Sequence, residues 1–260
     1  MNILLTNDDG ILAPGILALA KAVKDIGEIA IVAPETTQSA AAHSITLNDP
    51  LICTKVELPG GFTGFSVNGR PADCVKLALV EIWPKNARLP DRPDIVISGI
   101  NAGANVGINV LYSGTVAAAI EAAFFNIPAI AISLDIRDKL NFSCAAKIAR
   151  DVIQKIIDSD FLKPGYILNI NIPECENSLP KGIKVVPQST QAGIDKFERR
   201  IDPRGRVYYW LTGDHYPIDE AQETDSIALS NNYITVTPLM YDLTAYSQID
   251  CLKQAFEGSG

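Results

Sequence analysis

The sequence predicts an α/β protein with a doubly wound, Rossmann-like parallel sheet, a C-terminal β-hairpin arm and a terminal helix. Two observations support this prediction. Up to about residue 160, short apolar runs alternate with stretches in which apolar residues recur at helical spacing, as in βαβ units. Beyond that point the segments become short and strand-like and are separated by polar stretches. We therefore expect residues 1–160 to form the Rossmann-like core, and residues 161–260 to add edge strands, the arm and the helix to the same domain.

The first strand–helix–strand unit begins at the start of the chain. Residues 3–5 are apolar and predict a buried strand. After a polar turn, a helix follows with Pro14 in its first turn and Gly27 just past its end. Residues 29–32 predict the next strand, which Pro34 stops. The apolar positions of the helix are Ile16, Leu19, Ala20, Val23 and Ile26.

The middle of the chain repeats this arrangement. Pro71 opens a helix that has an apolar face, and residues 94–98 predict a central strand. The remaining elements of this half are a Gly- and Asn-rich loop at 99–109, a helix from about Ser113, a strand at 129–132 and a helix at 145–157.

The last third of the chain contains strand-like segments at 166–172, 183–186, 207–211 and 233–236, and a final helix at 244–256. Its polar stretches carry many aromatic residues, namely Tyr208, Tyr209, Trp210, Tyr216 and Tyr233. These aromatic side chains either anchor a subunit interface or pack on the protein's own core.

The composition is typical of a folded globular protein, since 47% of the 260 residues are hydrophobic and 20% are charged. The 30 Asp and Glu residues against 22 Lys and Arg give a formal net charge of −8. A protein this acidic has no overall field that attracts nucleic acid or an anionic membrane, so we expect neither as a partner. Any bound phosphate must be held locally by a metal ion, a helix start or backbone amides.

The cysteine pattern points to a reducing compartment. The 5 cysteines are far apart and form no CxxC pair, so a disulfide framework or a zinc ribbon is not expected. We see no secretory signal, and no apolar stretch reaches the roughly 18 residues that a membrane helix needs. These features predict a cytoplasmic protein.

The first candidate site is Asn7-Asp8-Asp9-Gly10, directly after the first strand. Ligands of doubly wound sheets bind at the carboxyl ends of strands, and two adjacent carboxylates there favour a divalent cation between them. The alternative is a turn whose acids cap the following helix. The adjacent spacing does not fit a haloacid-dehalogenase-type phosphatase, which needs two Asp residues separated by one position.

Two further motifs suggest phosphate binding. The loop 98–105 combines glycines, which let the backbone approach a ligand, with asparagines, which offer oxygen and NH₂ groups. It is neither a Walker A loop nor GxGxxG, so dinucleotide binding is disfavoured. Ser113-Gly114-Thr115 opens the next helix and offers free N–H groups to an anion. The alternatives are a turn-rich loop and simple N-capping by Ser113.

The segment Gln38-Ser39-Ala40 with His43 fits a third wall of the same site, or else an ordinary surface loop. We expect neither His43 nor His215 to bind metal, because both are isolated. Without a His or Cys cluster the ligand set is all oxygen, which favours Mg²⁺ or Mn²⁺ over structural zinc.

Taken together, these motifs resemble the survival protein SurE family of 5′/3′-nucleotidases. The resemblance rests on NDDG, PxxxQSAxxHSITL, VNGxPADCV, SGINAGxNxG and YSGTVAAAxEA, followed in order by DPRGRxYYWLTG, TDxxA and YITVTPL. It covers nearly the whole chain. It implies hydrolysis of nucleoside 5′- and 3′-monophosphates to nucleoside and phosphate, and in some members of short polyphosphate. It also implies a homodimer or homotetramer in which the C-terminal arm is exchanged between subunits.

The resemblance also implies a set of site residues in a core that binds metal and phosphate. One divalent cation per subunit, Mg²⁺ or Mn²⁺, would be held by Asp8, Asp9, Ser39 and Asn101. The phosphate would be held by Asn105, Ser113, Gly114 and Thr115. Asp8, Asp9 and Asn105 would be the catalytic residues, with the attacking water held by the metal or oriented by Asp8 or Asp9.

Three positions depart from the family pattern, and one of them bears on chemistry. Asn109 stands where many members have an acid, so metal affinity or substrate choice would differ if it lines the pocket. Ala122 replaces a common Gly, and Asn231-Asn232 replaces a turn that usually contains Gly.

The sequence leaves two rival functions open: a non-catalytic stress protein that binds metal and nucleotide, and a sugar or phosphoryl transferase. It also leaves open the base preference, the choice between 5′ and 3′ phosphates and polyphosphate activity.

Overall fold

The protein was analysed as a computed structural model that describes residues 1–85, 91–136, 139–176, 178–191, 196–212 and 222–257. The strands are β1 (Asn2–Thr6), β2 (Glu28–Pro34), β3 (Cys53–Leu58), β4 (Phe62–Val67), β5 (Ile95–Ala102), β6 (Ala129–Leu134), β7 (Ile167–Ile172), β8 (Ile183–Val185), β9 (Phe197–Ile201), β10 (Val207–Leu211) and β11 (Ile234–Leu239). The helices are α1 (Pro14–Val23), α2 (Pro71–Leu77), α3 (Gly114–Phe124), α4 (Phe142–Asp158), α5 (Asp225–Ser230) and α6 (Tyr246–Glu257). A π-helical turn (Ala78–Ile82) extends α2, and a 3₁₀ helix (Gly107–Tyr112) precedes α3.

Nine strands form one sheet in the order β3-β4-β2-β1-β5-β6-β7-β11-β8. The strands from β4 to β7 all run parallel, whereas β3 and β11 pair antiparallel with their neighbours β4 and β7. The predicted doubly wound parallel sheet is therefore confirmed. The chain winds outwards in one direction through β1 and β2 and in the other from β5 onwards. This switch point opens a crevice at the carboxyl ends of β1 and β5.

Helices cover both faces of the sheet, which explains why its central strands consist mainly of apolar residues without alternation. In β1, Ile3 and Leu5 face the core shared with α1 and α4, while Leu4 faces the core shared with α2 and α3. Ser113 caps α3 and Pro71 begins α2, both as predicted.

Several elements differ from the expectations. Strands β3 and β4 and helix α5 were not predicted, and β9 was expected only as a strand of the arm without a range, because their sequences carry no clear apolar period. The segment 99–102, expected as loop, continues β5. After residue 160 we expected edge strands, but the sheet order places β7 and β11 inside and β8 at the edge. Helix α1 ends at Val23, and Gly27 lies instead against Met1, whose carbonyl oxygen would be 2.1 Å from an added Cβ.

Strands β9 and β10 form a separate antiparallel hairpin, and every one of their residues is exposed. This hairpin is the arm that the sequence predicts. His215 and Tyr216 lie outside the described residues. Within the part of the chain that the structure describes, no helix combines the length and the apolar character needed to cross a membrane.

Candidate active site

Two carboxylates stand at the carboxyl end of β1, and each is fixed through one oxygen. Asp8 Oδ1 accepts a hydrogen bond of 2.5 Å from Thr115 Oγ1, and Asp9 Oδ2 accepts one of 3.1 Å from the Ala102 amide. Among the described residues, no other side chain donates a hydrogen bond to either carboxylate. The site therefore keeps one carboxylate oxygen of each acid available to a ligand.

Both carboxylates are held at an electrostatic cost. Burial raises the pKa of Asp8 to about 6, with a further rise from the charge of Asp9, although the Thr115 hydroxyl opposes both effects. Burial also raises the pKa of Asp9, against the opposing hydrogen bond from the Ala102 amide. A cation next to both groups would relieve this cost, because it stabilises the ionised forms.

The end of β5 brings Asn101 next to these acids. Gly99 has φ +136°, and an added Cβ would lie 2.3 Å from the Ile132 carbonyl oxygen, so only glycine fits where the two strands approach. The register between β5 and β6 shifts between Ser98 and Asn101. Asn101 then donates from Nδ2 to the Gly103 carbonyl at 2.7 Å, and its Oδ1 has no partner among the described residues.

Asn105 is held by hydrogen bonds to residues of β6 and β7. Its backbone N–H donates to Asn171 Oδ1 at 2.8 Å, and its carbonyl accepts from Asn169 Nδ2 at 2.8 Å. Its side-chain Nδ2 donates to Ser133 Oγ at 2.8 Å. Because the Ser133 hydroxyl can donate as well as accept, rotation of the amide would present Nδ2 to an anion instead.

The start of α3 packs directly against Asp8. The Ser113 hydroxyl accepts from the Val116 amide at 3.1 Å, which is the N-cap bond, and its own proton stays available to a ligand. An added Cβ on Gly114 would lie 2.9 Å from Asp8 Cβ. Gly114 and Thr115 are buried beside Asp8, so the contact that the structure gives Thr115 is with this carboxylate.

The loop after β2 completes the arrangement. Gln38 N–H donates to the Asp8 carbonyl at 2.7 Å, which places the next residue, Ser39, beside the acids. His43 lies farther along, where Nε2 is 2.9 Å from Glu121 Oε2. Its ring also stacks on Phe124. Its ring is therefore occupied by partners on α3.

These groups surround a cavity of about 460 Å³. The cavity is lined by Asp8, Ser39, Ala40, Asn101, Ala102, Ala104, Asn105, Asn109, Tyr112, Ser113 and Leu211. The structure thus brings most of the predicted residues together around the cavity. Asp9 is not in the lining, but it accepts a hydrogen bond from Ala102, which is. Gly114 and Thr115 are not in the lining either. None of these lining residues is Lys or Arg, so nothing in the lining neutralises a phosphate dianion or the carboxylates.

The lining of the cavity shows the position of Asn109 and which groups could hold a cation. Asn109 does line it, so its difference from the family pattern reaches the site. Among the described residues no group of three or more His, Cys, Asp or Glu side chains is placed to hold a metal ion. A cation here would need neutral oxygens beside the two acids, as on Ser39 and Asn101.

A second cavity, of about 590 Å³, lies where β7 begins, between Phe161 and Tyr241. It is larger but mostly apolar, and Asp242 is the only acid among the described residues that line it. We therefore place the site at the first cavity, where several polar groups converge.

The sequence reasoning missed the residues that support Asn105. It also missed Tyr112 and Leu211, the exposed residues that form the outer wall of the cavity. Asn169 and Asn171 interrupt an apolar strand at alternate positions, and this pattern marks one polar face inside the protein. That signal could have identified them. Tyr112 was not predicted as a site residue, although it directly precedes Ser113, and Leu211 carries no local signal.

The chain is similar to known proteins over nearly its whole length. The family model described as survival protein SurE matches residues 3–194. The 5′-nucleotidase SurE of Syntrophobacter fumaroxidans is 45% identical, over 97% of this chain and 98% of that protein. The 5′-nucleotidase SurE of Symbiobacterium thermophilum is 44% identical, over 97% of each chain. The crystal structure of the SurE protein from Aquifex aeolicus superposes with a TM-score of 0.83 at 36% identity, covering 99% of this chain and 100% of that one.

Proposed function

This chain belongs to the survival protein SurE family, and we propose how its cavity performs the nucleotidase reaction. The protein is a phosphomonoesterase that releases phosphate from nucleoside monophosphates and depends on a divalent metal ion. Its substrates are 5′- and 3′-nucleotides, with short polyphosphate as a further candidate. The working unit is one domain, in which residues 1–160 bind metal and phosphate and residues 161–260 supply supporting contacts.

The absence of Lys and Arg among the described residues that line the cavity is the observation that carries this proposal. Asp8 is buried and lines a cavity that must accept a phosphate dianion, Asp9 is its neighbour in the chain, and like charges repel. A divalent cation resolves this conflict, and the free oxygens of Asp8, Asp9 and Asn101 with the Ser39 hydroxyl suit a hard ion such as Mg²⁺ or Mn²⁺. We assign these four residues as the ligands of one cation per subunit.

The bound cation would supply Lewis-acid polarisation of the phosphoryl group, and the protein groups position the reactants. Ser113 donates its hydroxyl proton to a phosphate oxygen at the start of α3. Asn105 offers its amide to a second oxygen. Asp8 or Asp9 would accept a hydrogen bond from the attacking water and orient it in line with the leaving group.

Magnitudes show why the cation is needed. Enzymes accelerate phosphomonoester hydrolysis by up to about 10²¹, which corresponds to roughly 28 kcal/mol of barrier. A helix start contributes about 0.3–2 kcal/mol to binding a charge. The start of α3 can therefore hold the phosphate in place but cannot drive the reaction.

The outer wall of the cavity fits the nucleoside part of the substrate. Tyr112 and Leu211 both line the cavity, and their side chains are 58% and 59% exposed. An exposed aromatic ring and an aliphatic side chain suit the flat faces of a base and the apolar side of a ribose. Asn109 adds a neutral amide to the same lining, which avoids another negative charge close to the phosphate.

We assign the β9–β10 hairpin to a homodimer or homotetramer contact. Every residue of its two strands is exposed, including Phe197, Tyr209 and Trp210. An isolated two-stranded hairpin is only marginally stable in water, so a second copy of the chain is the natural cover for this apolar surface.

The test is phosphate release from 5′- and 3′-nucleoside monophosphates by protein stripped of metal and then supplied with Mn²⁺ or Mg²⁺. We expect release only with the cation. Tight nucleotide binding without release would favour the non-catalytic binding protein. Phosphate transfer to an added acceptor, with little release into water, would favour the transferase.

A further inference from the structure

The Asn105 loop, residues 103–107, is held at Asn105 and at Gly107 by residues that are distant in sequence. At the first, Asn171 on β7 pairs with the backbone of Asn105 in both directions, at 2.8 Å and 3.2 Å. At the second, the Gly107 amide donates to Asp225 Oδ2 at 3.0 Å. The Gly107 carbonyl accepts from Gln188 Nε2 at 2.8 Å.

Asp225 is an unusual residue to find at the second place. It is 0% exposed, and 118 positions separate it from Gly107. Its other oxygen, Oδ1, accepts from the backbone amides of Ser189 at 2.9 Å and Ser226 at 2.8 Å. Among the described residues it has no salt-bridge partner, so neutral donors compensate its burial: three backbone amides and the Ser226 hydroxyl, which donates to Oδ1 at 3.4 Å.

Helix α5 by itself does not explain this arrangement. A carboxylate in the first turn of a short helix needs only the bond to the Ser226 amide in that turn. The bonds to Gly107 and Ser189 instead tie together three separate segments of the chain. Gly107 lies two residues after Asn105 and has φ +58°. The bond from its amide to Asp225 therefore holds the backbone just after Asn105 in place.

We propose that Asp225 is a positioning residue of the nucleotidase, which holds the Gly107 amide and thereby fixes Asn105 at the phosphate position. This inference rests on the proposed function. The candidate metal ligands lie on other segments, after β1, after β2 and at the end of β5. Loss of Asp225 should therefore weaken phosphate binding and catalysis and leave cation binding intact.

The variant Asp225→Asn tests this directly, because it keeps the size of the side chain. Its Oδ1 can still accept from Ser189 and Ser226, but its NH₂ group would face the Gly107 N–H, donor against donor. We expect the inhibition constant of inorganic phosphate to weaken about tenfold, and kcat/KM for a nucleoside monophosphate to fall about a hundredfold. We expect the Mn²⁺ dissociation constant of the substrate-free protein to stay within about twofold of wild type.

Asn141→Ala is the matched control. Asn141 Oδ1 caps α4 by accepting from the Cys144 amide at 2.9 Å, away from the Asn105 loop. Its loss also lowers stability, by an amount typical of a helix cap, but should leave the phosphate inhibition constant and kcat/KM unchanged. If this control lowers kcat/KM as much as Asp225→Asn does, the effect is one of general stability and the proposal is wrong.

The remaining outcomes are also decisive. Unchanged phosphate inhibition in a folded Asp225→Asn protein overturns the inference, as does an equal loss of Mn²⁺ affinity. If Asp225→Asn does not fold, Gln188→Ala removes only the bond to the Gly107 carbonyl, and a several-fold weaker phosphate inhibition is expected; no change would overturn the inference. A wild-type protein that releases no phosphate refutes the proposed function itself, which separates the two failures.

Discussion

Replacing Asp8 by Asn should abolish turnover and at the same time stabilise the metal-free protein. The substitution keeps the shape of the side chain, and its Oδ1 can still accept from the Thr115 hydroxyl, so we expect the fold to survive. It removes one of the two acids that we assign to the cation. A residue that served only the fold would give the opposite result for stability.

The size of the effect follows from the pKa of Asp8, which is about 6 in the folded protein against the ordinary 3.8. A rise of roughly 2 pKa units corresponds to about 3 kcal/mol. Because the folded state binds the proton more tightly than the unfolded state, the protonated carboxyl favours folding below pH 3.8. This contribution is lost as the pH rises through about 6. Asp8→Asn stays neutral throughout and keeps it.

The assay is denaturant unfolding in a chelator at pH values from about 4 to about 8. We expect Asp8→Asn to exceed wild type by up to about 3 kcal/mol in unfolding free energy above pH about 6.5, with the difference shrinking towards pH about 4. Adding Mn²⁺ at about 100 times its Kd should stabilise wild type by about 2.7 kcal/mol and the variant far less.

Asp49→Asn, in an exposed loop, makes the same change in net charge and should reproduce neither effect. The reasoning is refuted if folded Asp8→Asn keeps substantial phosphate release, or if it is less stable than wild type in the chelator at pH 7.5.

Three further predictions concern other parts of the site. Gly114→Ala should lower Mn²⁺ affinity and phosphate release at least tenfold in a folded protein, because its Cβ would lie 2.9 Å from Asp8 Cβ; wild-type affinity by Mn²⁺ titration would contradict this contact. Tyr112→Ala should raise KM for a nucleoside monophosphate several-fold and leave inhibition by inorganic phosphate unchanged, and an equal change in both would place Tyr112 at the phosphate instead. Light scattering at micromolar concentration should find a dimer or tetramer that Trp210→Ser weakens, and a wild-type monomer would refute the contact through the arm.

The sequence predicted the parallel core well, because its signals are local. Residues 3–5, 29–32 and 129–132 are apolar without alternation, which is how strands read when helices cover both faces. The strands β3, at the edge of the sheet, and β4, next to it, carry mixed sequences and were missed for that reason. The position of β7 in the interior of the sheet was not predicted either, since an interior strand and an edge strand can have the same composition.

The candidate site shows the same division. The sequence by itself determined that Asp8 and Asp9 follow a buried strand, that Ser113 caps a helix and that glycines surround Asn101, since each is a property of neighbouring residues. Only the tertiary structure decided that Thr115 binds Asp8 from 107 positions away and that Asp225 reaches Gly107 across 118. Such bonds depend on the order of strands in the sheet. That order is set by packing between distant segments, and no local pattern in the chain encodes it.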